Sequence, residues 1–342
     1  MDPVHALRQI ALHLERTGEP THKVQAFRRA AARVAGLPPG ELDQRIGAGT
    51  LMALPGIGKT TAAVITEAAA GREPAYLTEL RGRPTRVLVD VRGGETLRAA
   101  LRGDCHTHSD WSDGGSPIRE MAEAAIELGH EWMVLTDHSP RLTVANGLSA
   151  ERLRRQLAVV AELNAELAPF RILTGIEVDI LADGGLDQEP ELLAELDIVV
   201  ASVHSLLRSP AAEMTERMLT AIANPHVDVL GHCTGRRVLG RRPRPESQFD
   251  AEAVFTACRD NGVAVEINCR PDRLDPPRRL LRLAVELGCV FAIDSDAHAP
   301  GQLHWQPFGC ARGEECGVTP DRVINTLPAD DILAWADPPL RD

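Results

Sequence analysis

The sequence predicts an α/β protein in which a small all-helical region precedes a larger part built on a parallel sheet. Two observations lead to this fold class. From residue 104 onward, short apolar runs alternate seven times with longer amphipathic stretches, which is typical of parallel strands joined by helices. Residues 4–82, by contrast, show helical periodicity throughout. Seven strand-helix units can close into a barrel or remain an open, doubly wound sheet.

The helical region begins with apolar residues that share one face of a helix, namely Val4, Leu7, Ala11 and Leu14. We expect this helix to end near Gly18 and a second, alanine-rich helix to cover residues 23–37. A short acidic helix and the segment 51–71 follow Pro38 and Pro39. The region therefore predicts a compact set of helices.

A linker is predicted over residues 83–103, because both ends of this stretch are rich in arginine and Gly93 and Gly94 interrupt any regular pattern. The predicted organisation is therefore a helical domain over residues 1–82, the linker, and an α/β domain over residues 104–342.

Seven strands are predicted from the apolar runs, at residues 104–108, 131–138, 171–178, 197–204, 227–232, 263–269 and 290–298. The stretches between them carry helix start and stop signals. Residues 116–129, for example, open with Ser116 and Pro117 and end at Gly129. Because parallel strands all point the same way, we expect their carboxyl ends to meet at one rim if the sheet closes.

The composition is that of a globular protein, with 342 residues, 44% hydrophobic and 25% charged, and no apolar run of about 18 residues or more. We therefore expect no membrane association. The first residues, MDPVHALRQI, include an early acid and are amphipathic, so we expect no signal peptide and a cytoplasmic location. The seven cysteines are scattered without a CxxC pair, and we expect them to be reduced.

Charge is distributed unevenly along the chain. Residues 1–103 contain 15 Lys and Arg against 10 Asp and Glu, whereas the remainder contains 22 against 39. A basic small region beside an acidic large one indicates a module that binds polyanions next to a site that holds cations. Ordinary variation of surface charge explains the same numbers equally well.

Side chains able to bind metals stand at or near the carboxyl ends of six predicted strands or in the loop after the first: His106, His108, Asp113, His138, Glu177, His204, His232, Asp296 and His298. In a strand, residues two apart point to the same side, so His106 and His108 are expected to project into one space. A single histidine at a strand end is usually a structural group. Nine ligands at one buried rim, however, require cations to compensate them.

Nine ligands are too many for one ion and suit two or three metals, with Glu177 able to bridge two of them. Such clusters lower the pKa of a bound water and clamp phosphoester oxygens during displacement. By strand alternation Cys105 should point away from the two neighbouring histidines, and we expect it to be a core residue. The remaining histidines are interpreted as surface or packing residues: His5, His13, His22, His130, His226 and His304.

These motifs, in their order along the chain, resemble the polymerase and histidinol phosphatase (PHP) superfamily: His106-x-His108, Ser112-Asp113-Gly114, Thr136-Asp137-His138, Gly175-x-Glu177, Ser202-x-His204, Gly231-His232 and Asp296-x-His298. The resemblance covers about residues 104–335. The segments GHCTGRR (231–237) and EINCRPDRLD (266–275) further resemble the PHP domain of bacterial family X DNA polymerases. The resemblance implies a distorted (β/α)7 barrel that hydrolyses phosphoesters with three divalent metals, zinc or manganese, with iron as a further option.

The resemblance also implies how the ligands are shared. The first metal would take His106, His108, Glu177 and Asp296; the second Glu177, His204 and His232; the third Asp113, His138 and His298. We expect Glu177, Asp113 and His138 to serve catalysis as well. On rim loops, Arg237, Arg270 or Arg273 would orient the phosphate, and Arg237 is the residue selected here.

The helical region resembles the same polymerases, because LPGIGK (54–59) looks like the hairpin of a helix-hairpin-helix motif. In such a hairpin, Gly56, Gly58 and Lys59 would contact a DNA phosphate. The same residues also satisfy a loose nucleotide-binding P-loop pattern, but that motif must follow a buried strand. The all-helical setting favours the hairpin.

Two features of family X polymerases are missing from the sequence. Only about 20 residues separate LTELRGRP from LRGDCHTH, where the polymerase palm would lie, so we expect no polymerase activity. Alignment on LPGIG places Val64 at the position of the lyase lysine, so we expect no lyase chemistry.

The leading hypothesis is a metal-dependent phosphoesterase acting on DNA, as a 3'-5' exonuclease or an enzyme that processes 3' ends during repair. The alternative is a small-molecule phosphatase of the histidinol phosphate type, which needs the same metals but has no use for a basic helical module. A third hypothesis is a DNA-binding accessory protein with a vestigial metal site, against which the complete ligand set counts.

Overall fold

The computed structural model describes residues 1–82, 92–239 and 243–336. Within these ranges the chain forms two compact units, a helical unit in the N-terminal part and an α/β unit in the rest. None of the helices in the described part of the chain combines the length and the apolar character needed to cross a bilayer.

The helical unit contains α1 (Pro3–Arg16), α2 (Thr21–Ala35), α3 (Glu41–Gly47), α4 (Lys59–Ala69) and α5 (Ala75–Gly82). The Asp2 carboxylate caps α1 by accepting a hydrogen bond of 2.8 Å from the amide of His5. The face of α1 predicted from the sequence is buried in the core of this unit, together with Ile65 of α4 and Leu77 of α5. No strand occurs among the described residues of this unit.

The α/β unit is a barrel of seven parallel strands: β1 (Gly103–Thr107), β2 (Trp132–Leu135), β3 (Arg171–Asp179), β4 (Ile198–Ser202), β5 (Val229–Leu230), β6 (Ala264–Asn268) and β7 (Phe291–Asp294). The strands are hydrogen-bonded in sequence order. Thr107 pairs with Ala297 beyond the end of β7, and the amide of His108 donates to the carbonyl of Ala297 at 2.8 Å. These contacts bring the first and last strands together, so the sheet closes rather than remaining open.

The helices of this unit are α6 (Glu95–Ala100), α7 (Ile118–Glu127), α8 (Ala150–Leu167), α9 (Pro190–Leu193), α10 (Ala211–Ile222), α11 (Ala251–Asp260), α12 (Arg278–Glu286), α13 (Gln306–Glu315) and α14 (Ala329–Ala336). Helices α7 to α12 lie between consecutive strands, as the alternating sequence pattern predicted, whereas α13 and α14 follow β7. Each strand was predicted within a few residues, although most are shorter than the apolar runs suggested.

The predicted linker needs correction at its C-terminal end. Residues 83–91 lie outside the described residues, but α6 is an ordered helix inside the predicted linker. The amides of Gly94 and Leu97 donate to the carboxylate of Glu314, at 2.7 and 2.8 Å. Because the anchoring acid comes more than two hundred residues later, the local sequence gave no signal of this helix.

The inside of the barrel is filled by apolar side chains below the carboxyl ends of the strands, including Trp132, Val134, Leu173 and Val200. Cys105 is buried in this cluster, as expected for a core residue. The pairing of β1 with β2 shifts register between Asp104 and Thr107, an irregularity that strict alternation does not anticipate. All seven cysteines are buried and unpaired.

Asn325 is expected to be important for the stability of the closed barrel. Its side chain accepts from the amide of Ile293 at 2.7 Å and donates to the carboxylate of Asp294 at 2.8 Å, and it is fully buried. We expect Asn325→Ala to lower the free energy of unfolding by about 2–3 kcal/mol, because it leaves buried polar groups without partners. Urea unfolding measures this change. Gln248→Ala, which removes an exposed amide, should leave the midpoint unchanged, and equal midpoints for the two variants would contradict the prediction.

Candidate metal centre

The nine predicted ligands come together at the carboxyl rim of the barrel. His106 lies within β1 and Glu177 within β3, whereas the others follow a strand by one to four residues or, for Asp113, lie in the loop after β1. The imidazole rings of His106 and His108 have centroids 5.1 Å apart, so the His-x-His pair shares one space as predicted. The fold therefore converts a repeated pattern of strand ends into one cluster.

Glu177 occupies the middle of this cluster. Its Oε2 lies 3.3 Å from Nε2 of His106 and 2.9 Å from Nδ1 of His138. Its Oε1 lies 3.2 Å from Nε2 of His204 and 2.9 Å from Nε2 of His232. Burial alone would raise the pKa of the Glu177 carboxyl, but the surrounding imidazoles outweigh burial and hold the pKa well below its usual range.

Three groups of side chains in the cluster have the spacing needed to hold a metal ion: His106, His108 and Glu177; His138, Glu177 and His204; and His108, Asp113, His138 and His298. The first group contains three of the four ligands predicted for the first metal, and the last group contains all three ligands predicted for the third metal together with His108. The middle group combines Glu177 and His204, predicted for the second metal, with His138, predicted for the third. His108 and His138 each belong to two groups, which is a closer interlocking than the sequence suggested.

Asp113 forms the outer edge of the cluster. Its Oδ1 lies 3.5 Å from Nε2 of His138 and 3.4 Å from Nε2 of His298. Burial raises the pKa of this carboxyl, but hydrogen bonding and charge from His298 outweigh burial and lower the pKa below its ordinary value. The side chain is 36% exposed, whereas His106 and Glu177 are buried.

The chemistry of these side chains fits divalent metal ions. Among the described residues, Nε2 of both His106 and His108 and Nδ1 of His232 are buried without a hydrogen-bond partner. Such nitrogens are costly to bury unless they bind something. Imidazole nitrogens mixed with carboxylates are the donors preferred by zinc, manganese and iron. The cluster is therefore a metal-binding arrangement.

Supporting acids orient the imidazoles, and sequence reasoning missed them. Oε1 of Glu266 lies 2.6 Å from Nδ1 of His106, which turns Nε2 of the same ring toward Glu177. The other oxygen of Glu266 accepts from the amide of His232. Asp179 accepts from the amide of His204 at 3.1 Å and lies 3.4 Å from its Nδ1. Such partners fix the tautomer and direction of a ligating ring.

The loop that carries Asp113 is held by a buried acid, Asp137. This carboxylate accepts from both the amide and the hydroxyl of Ser109, at 2.8 and 2.6 Å. It also accepts from the hydroxyl of Ser112 and, at 2.6 Å, from the side chain of Gln156. Asp137, which directly precedes His138 in the sequence, thus anchors the loop that carries another candidate ligand, Asp113.

Two arginines reach the cluster directly. Nε of Arg273 lies 3.3 Å from Oδ2 of Asp296, and Nη1 of Arg270 lies 3.6 Å from Oδ1 of the same carboxylate. Asp296 has φ of 51°, a left-handed conformation that residues other than glycine rarely adopt. Arg237, selected from the sequence, lies further out, with its Nε 3.7 Å from Oδ2 of Asp272.

The predicted DNA-binding hairpin lies before α4 in the helical unit. Gly56 has φ of 85°, which requires glycine, and the amide of Gly58 donates to the hydroxyl of Thr61 at 2.9 Å. The Gly58 amide is therefore already engaged within the motif. Lys59, at the first position of α4, is exposed. Val64, at the lyase position, is buried in the core of the unit.

Comparison with known proteins assigns both units to families. The PHP domain matches residues 104–270, and a helix-hairpin-helix domain matches residues 1–73. A probable phosphatase of Thermoanaerobacter sp. strain X514 is 31% identical over 241 residues, which make up 65% of this chain and 89% of that protein. The chain belongs to the PHP superfamily. It is therefore a phosphoesterase of the hydrolase class, and the seven-unit barrel implied by the resemblance is confirmed.

The DNA polymerase/3'-5' exonuclease PolX of Bacillus subtilis (strain 168) is 43% identical over 235 residues, covering 69% of this chain and 41% of that protein. The chain thus spans less than half the length of this relative. The zinc-bound histidinol phosphate phosphatase of Lactococcus lactis has a TM-score of 0.47 and 19% identity, over 64% of this chain and 95% of that one. The match over residues 1–73 confirms the helix-hairpin-helix prediction. Among the described residues no strand precedes α4, as a P-loop would require.

Replacing Asp113 tests the outermost group of the cluster. We expect Asp113→Ala to lower the metal content by one ion per chain and hydrolysis by about tenfold or more, because His138 and His298 lose their only shared carboxylate in this group. Mass spectrometry of the metals in purified protein, together with an esterase assay, measures both effects. Asp110→Ala is the control, since Asp110 is in the same loop and in none of the three groups. An unchanged metal count in Asp113→Ala would contradict the assignment.

Replacing Glu266 tests whether it orients His106. Burial would lower the pKa of His106, but Glu177 and Glu266 raise it well above its usual range. We expect Glu266→Gln to weaken metal binding by about 10–100-fold, because the charged partner of Nδ1 is lost. Competition with a chelator gives the affinity, and Glu286→Gln on the surface of α12 is the control. Equal affinities of the two variants would show that Glu266 has only a structural role.

Proposed function

We propose that this protein is a metal-dependent phosphoesterase that acts on DNA, as a 3'-5' exonuclease or an enzyme that processes 3' ends in repair, without polymerase activity. The observation that carries the proposal is the presence of a PHP metal-binding cluster and a helix-hairpin-helix unit in one chain. The likeness to a relative described as a polymerase and 3'-5' exonuclease supports it.

The helical unit suits a polyanion. Residues 1–103 carry 15 basic residues against 10 acidic ones. The first turn of α4 contains the exposed Lys59 and no acidic residue, so no carboxylate of its own competes for an anion at the positive end of this helix. In the proposal, Gly56, Gly58 and Lys59 hold a DNA phosphate, with the amide of Gly58 also engaged by Thr61. DNA is the partner proposed for this unit.

The barrel supplies the chemistry. Three divalent ions, zinc or manganese with iron as a further option, would be held by the nine candidate ligands. Bound there, such ions lower the pKa of a water and neutralise charge on the reacting phosphate. The chain itself adds the guanidinium groups of Arg270 and Arg273, which are both largely buried beside Asp296. These two groups can bind oxygens of the reacting phosphate.

A small-molecule phosphatase is the second candidate, and one observation favours it. This chain matches relatives described as probable phosphatases over most of their length. One is 31% identical over 89% of its length, and another is 32% identical over 93% of its length. Such an enzyme would use the same cluster on a phosphate monoester and would have no need of the helical unit.

Side-by-side hydrolysis separates the two candidates. We expect the full chain, supplied with manganese, to shorten a 5'-labelled single-stranded oligonucleotide from its 3' end, and a chelator to stop the reaction. Histidinol phosphate is assayed in parallel, and the metal content is measured on the same sample. Hydrolysis of histidinol phosphate with an intact oligonucleotide would replace the proposal by its rival.

The role of the hairpin is tested by measuring DNA binding at several salt concentrations for variants of the two lysines of the chain, Lys23 and Lys59. We expect Lys59→Gln to weaken DNA binding and to flatten its salt dependence, because a contact with phosphate is lost. Lys23→Gln is a matched control, since Lys23 is paired with Glu19 on the surface. Equal salt dependence of the two variants would remove the hairpin from the proposed DNA site.

A further inference from the structure

The rim of the barrel has a basic sector beside the metal centre. Five arginines of the part of the chain that the structure describes lie in the loops that follow β5 and β6, namely Arg236, Arg237, Arg244, Arg270 and Arg273. The chain from residue 104 onward is acidic as a whole, with 22 basic against 39 acidic residues. Arg270 and Arg273 contact the candidate ligand Asp296, and Arg236 pairs with Glu246, but the metal centre does not account for Arg237 and Arg244.

Arg237 and Arg244 are held opposite each other by backbone pairing. The amide of each donates to the carbonyl of the other at 2.9 Å, which makes a short antiparallel bridge. The amide of Val238 donates to the carbonyl of Asp272 at 2.6 Å and ties this bridge to the loop after β6. Residues 240–242, which the structure does not describe, are not included in the site. The two guanidinium groups are therefore presented from a fixed backbone.

A chain of ion pairs leads from the metal centre to this bridge. Arg270, which contacts Asp296, also has its Nε 3.2 Å from Oδ1 of Asp272. The second oxygen of Asp272 lies 3.7 Å from Nε of Arg237. Arg237 is thus one arginine and one carboxylate removed from the candidate ligand. The side chain of Arg237 is 45% exposed, whereas that of Arg270 is 17% exposed, so Arg237 lies nearer the solvent edge of the rim, where the next phosphate of a strand would pass.

Positive charge at the bridge is not balanced. Asp272 is the acid that Arg237 and Arg270 share, and in the part of the chain that the structure describes Arg244 forms no ion pair. Its Nε donates to the carbonyl of Gly235 at 2.6 Å. Burial, and next the charge of Arg273, lower the pKa values of both Arg237 and Arg244. A group of cations with too few acids attracts an anion.

Apolar side chains lie beside these cations. Val238 and Leu239 follow Arg237 directly and are 41% and 44% exposed, and Leu206, two residues after the candidate ligand His204, is 61% exposed. The loops are neighbours, since the hydroxyl of Ser247 donates to the carbonyl of Leu207 at 2.9 Å. Phosphate-binding cations beside exposed apolar surface match the alternation of phosphates and flat bases along a nucleic acid strand.

We propose that the bridge formed by Arg237 and Arg244 is a second subsite, which binds the sugar-phosphate backbone of a single DNA strand next to the phosphate that is hydrolysed. The inference rests on the proposed function and deepens it. It moves Arg237 from the reacting phosphate to its neighbour. A monoester has no second phosphate, so this subsite would make the enzyme prefer a polynucleotide.

The test compares two substrates across a series of salt concentrations. For full-length Arg244→Gln we expect kcat/KM on a labelled single-stranded oligonucleotide to fall about tenfold. On p-nitrophenyl phosphate we expect kcat/KM to fall by about twofold or less. The slope of log kcat/KM against log salt should become shallower by about 0.7, the effect of one lost contact with single-stranded DNA. Arg244→Lys keeps the charge and should keep the slope.

Arg154→Gln is the matched control, because Arg154 is an exposed arginine paired with Glu189 on a surface helix. It should match the wild type on both substrates. An equal loss on both substrates in Arg244→Gln, or no loss on the oligonucleotide, would overturn the second subsite while leaving DNA hydrolysis by the wild type intact. A wild-type protein that hydrolyses p-nitrophenyl phosphate but never shortens DNA would overturn the proposed function, and this inference with it.

Discussion

Burial of the Glu177 carboxylate among imidazoles is the constraint on which the site depends. A charged carboxylate deep in a barrel is strongly unfavourable unless cations or hydrogen-bond donors surround it. Four histidines from four different strand ends approach its two oxygens within 3.3 Å. Their convergence is possible because the seven strands are parallel and the sheet closes, which brings sequence positions more than a hundred residues apart to one rim.

Much of this site could be predicted because its pattern is repeated. The end of an apolar run marks the end of a strand, so a polar residue at each strand end can be recognised from the sequence alone. His106 and His108 were placed in one space from the two-residue period of a strand alone. The assignment of the chain to the PHP superfamily rests on the same positions in the same order, so sequence and fold agree most closely where strand geometry dictates the answer.

Other features could not be predicted, because they depend on contacts distant in sequence. Glu266 lies inside β6, where it looks like an ordinary residue of a short strand, and its partner His106 precedes it by 160 residues. The sequence predicts a linker where α6 lies, because Gly93 and Gly94 interrupt the local pattern, whereas the structure shows that Glu314 accepts hydrogen bonds from two amides at the start of this helix. The sequence carries no measure of depth for Arg237, and the structure shows that it pairs with Asp272, whereas Arg270 and Arg273 contact Asp296.

The gradient of exposure across the cluster has a consequence for how the protein acquires its metals. The side chains of His106 and Glu177 are at most 1% exposed, whereas Asp113 is 36% and His298 20% exposed. In the proposed trinuclear site, an ion held at Asp113 would meet bulk water and exchange readily, while an ion between His106 and Glu177 would exchange more slowly, because both of these ligands are buried. The outer position would then follow the metal supply at the time of reaction, and the inner position would change its metal over a longer time.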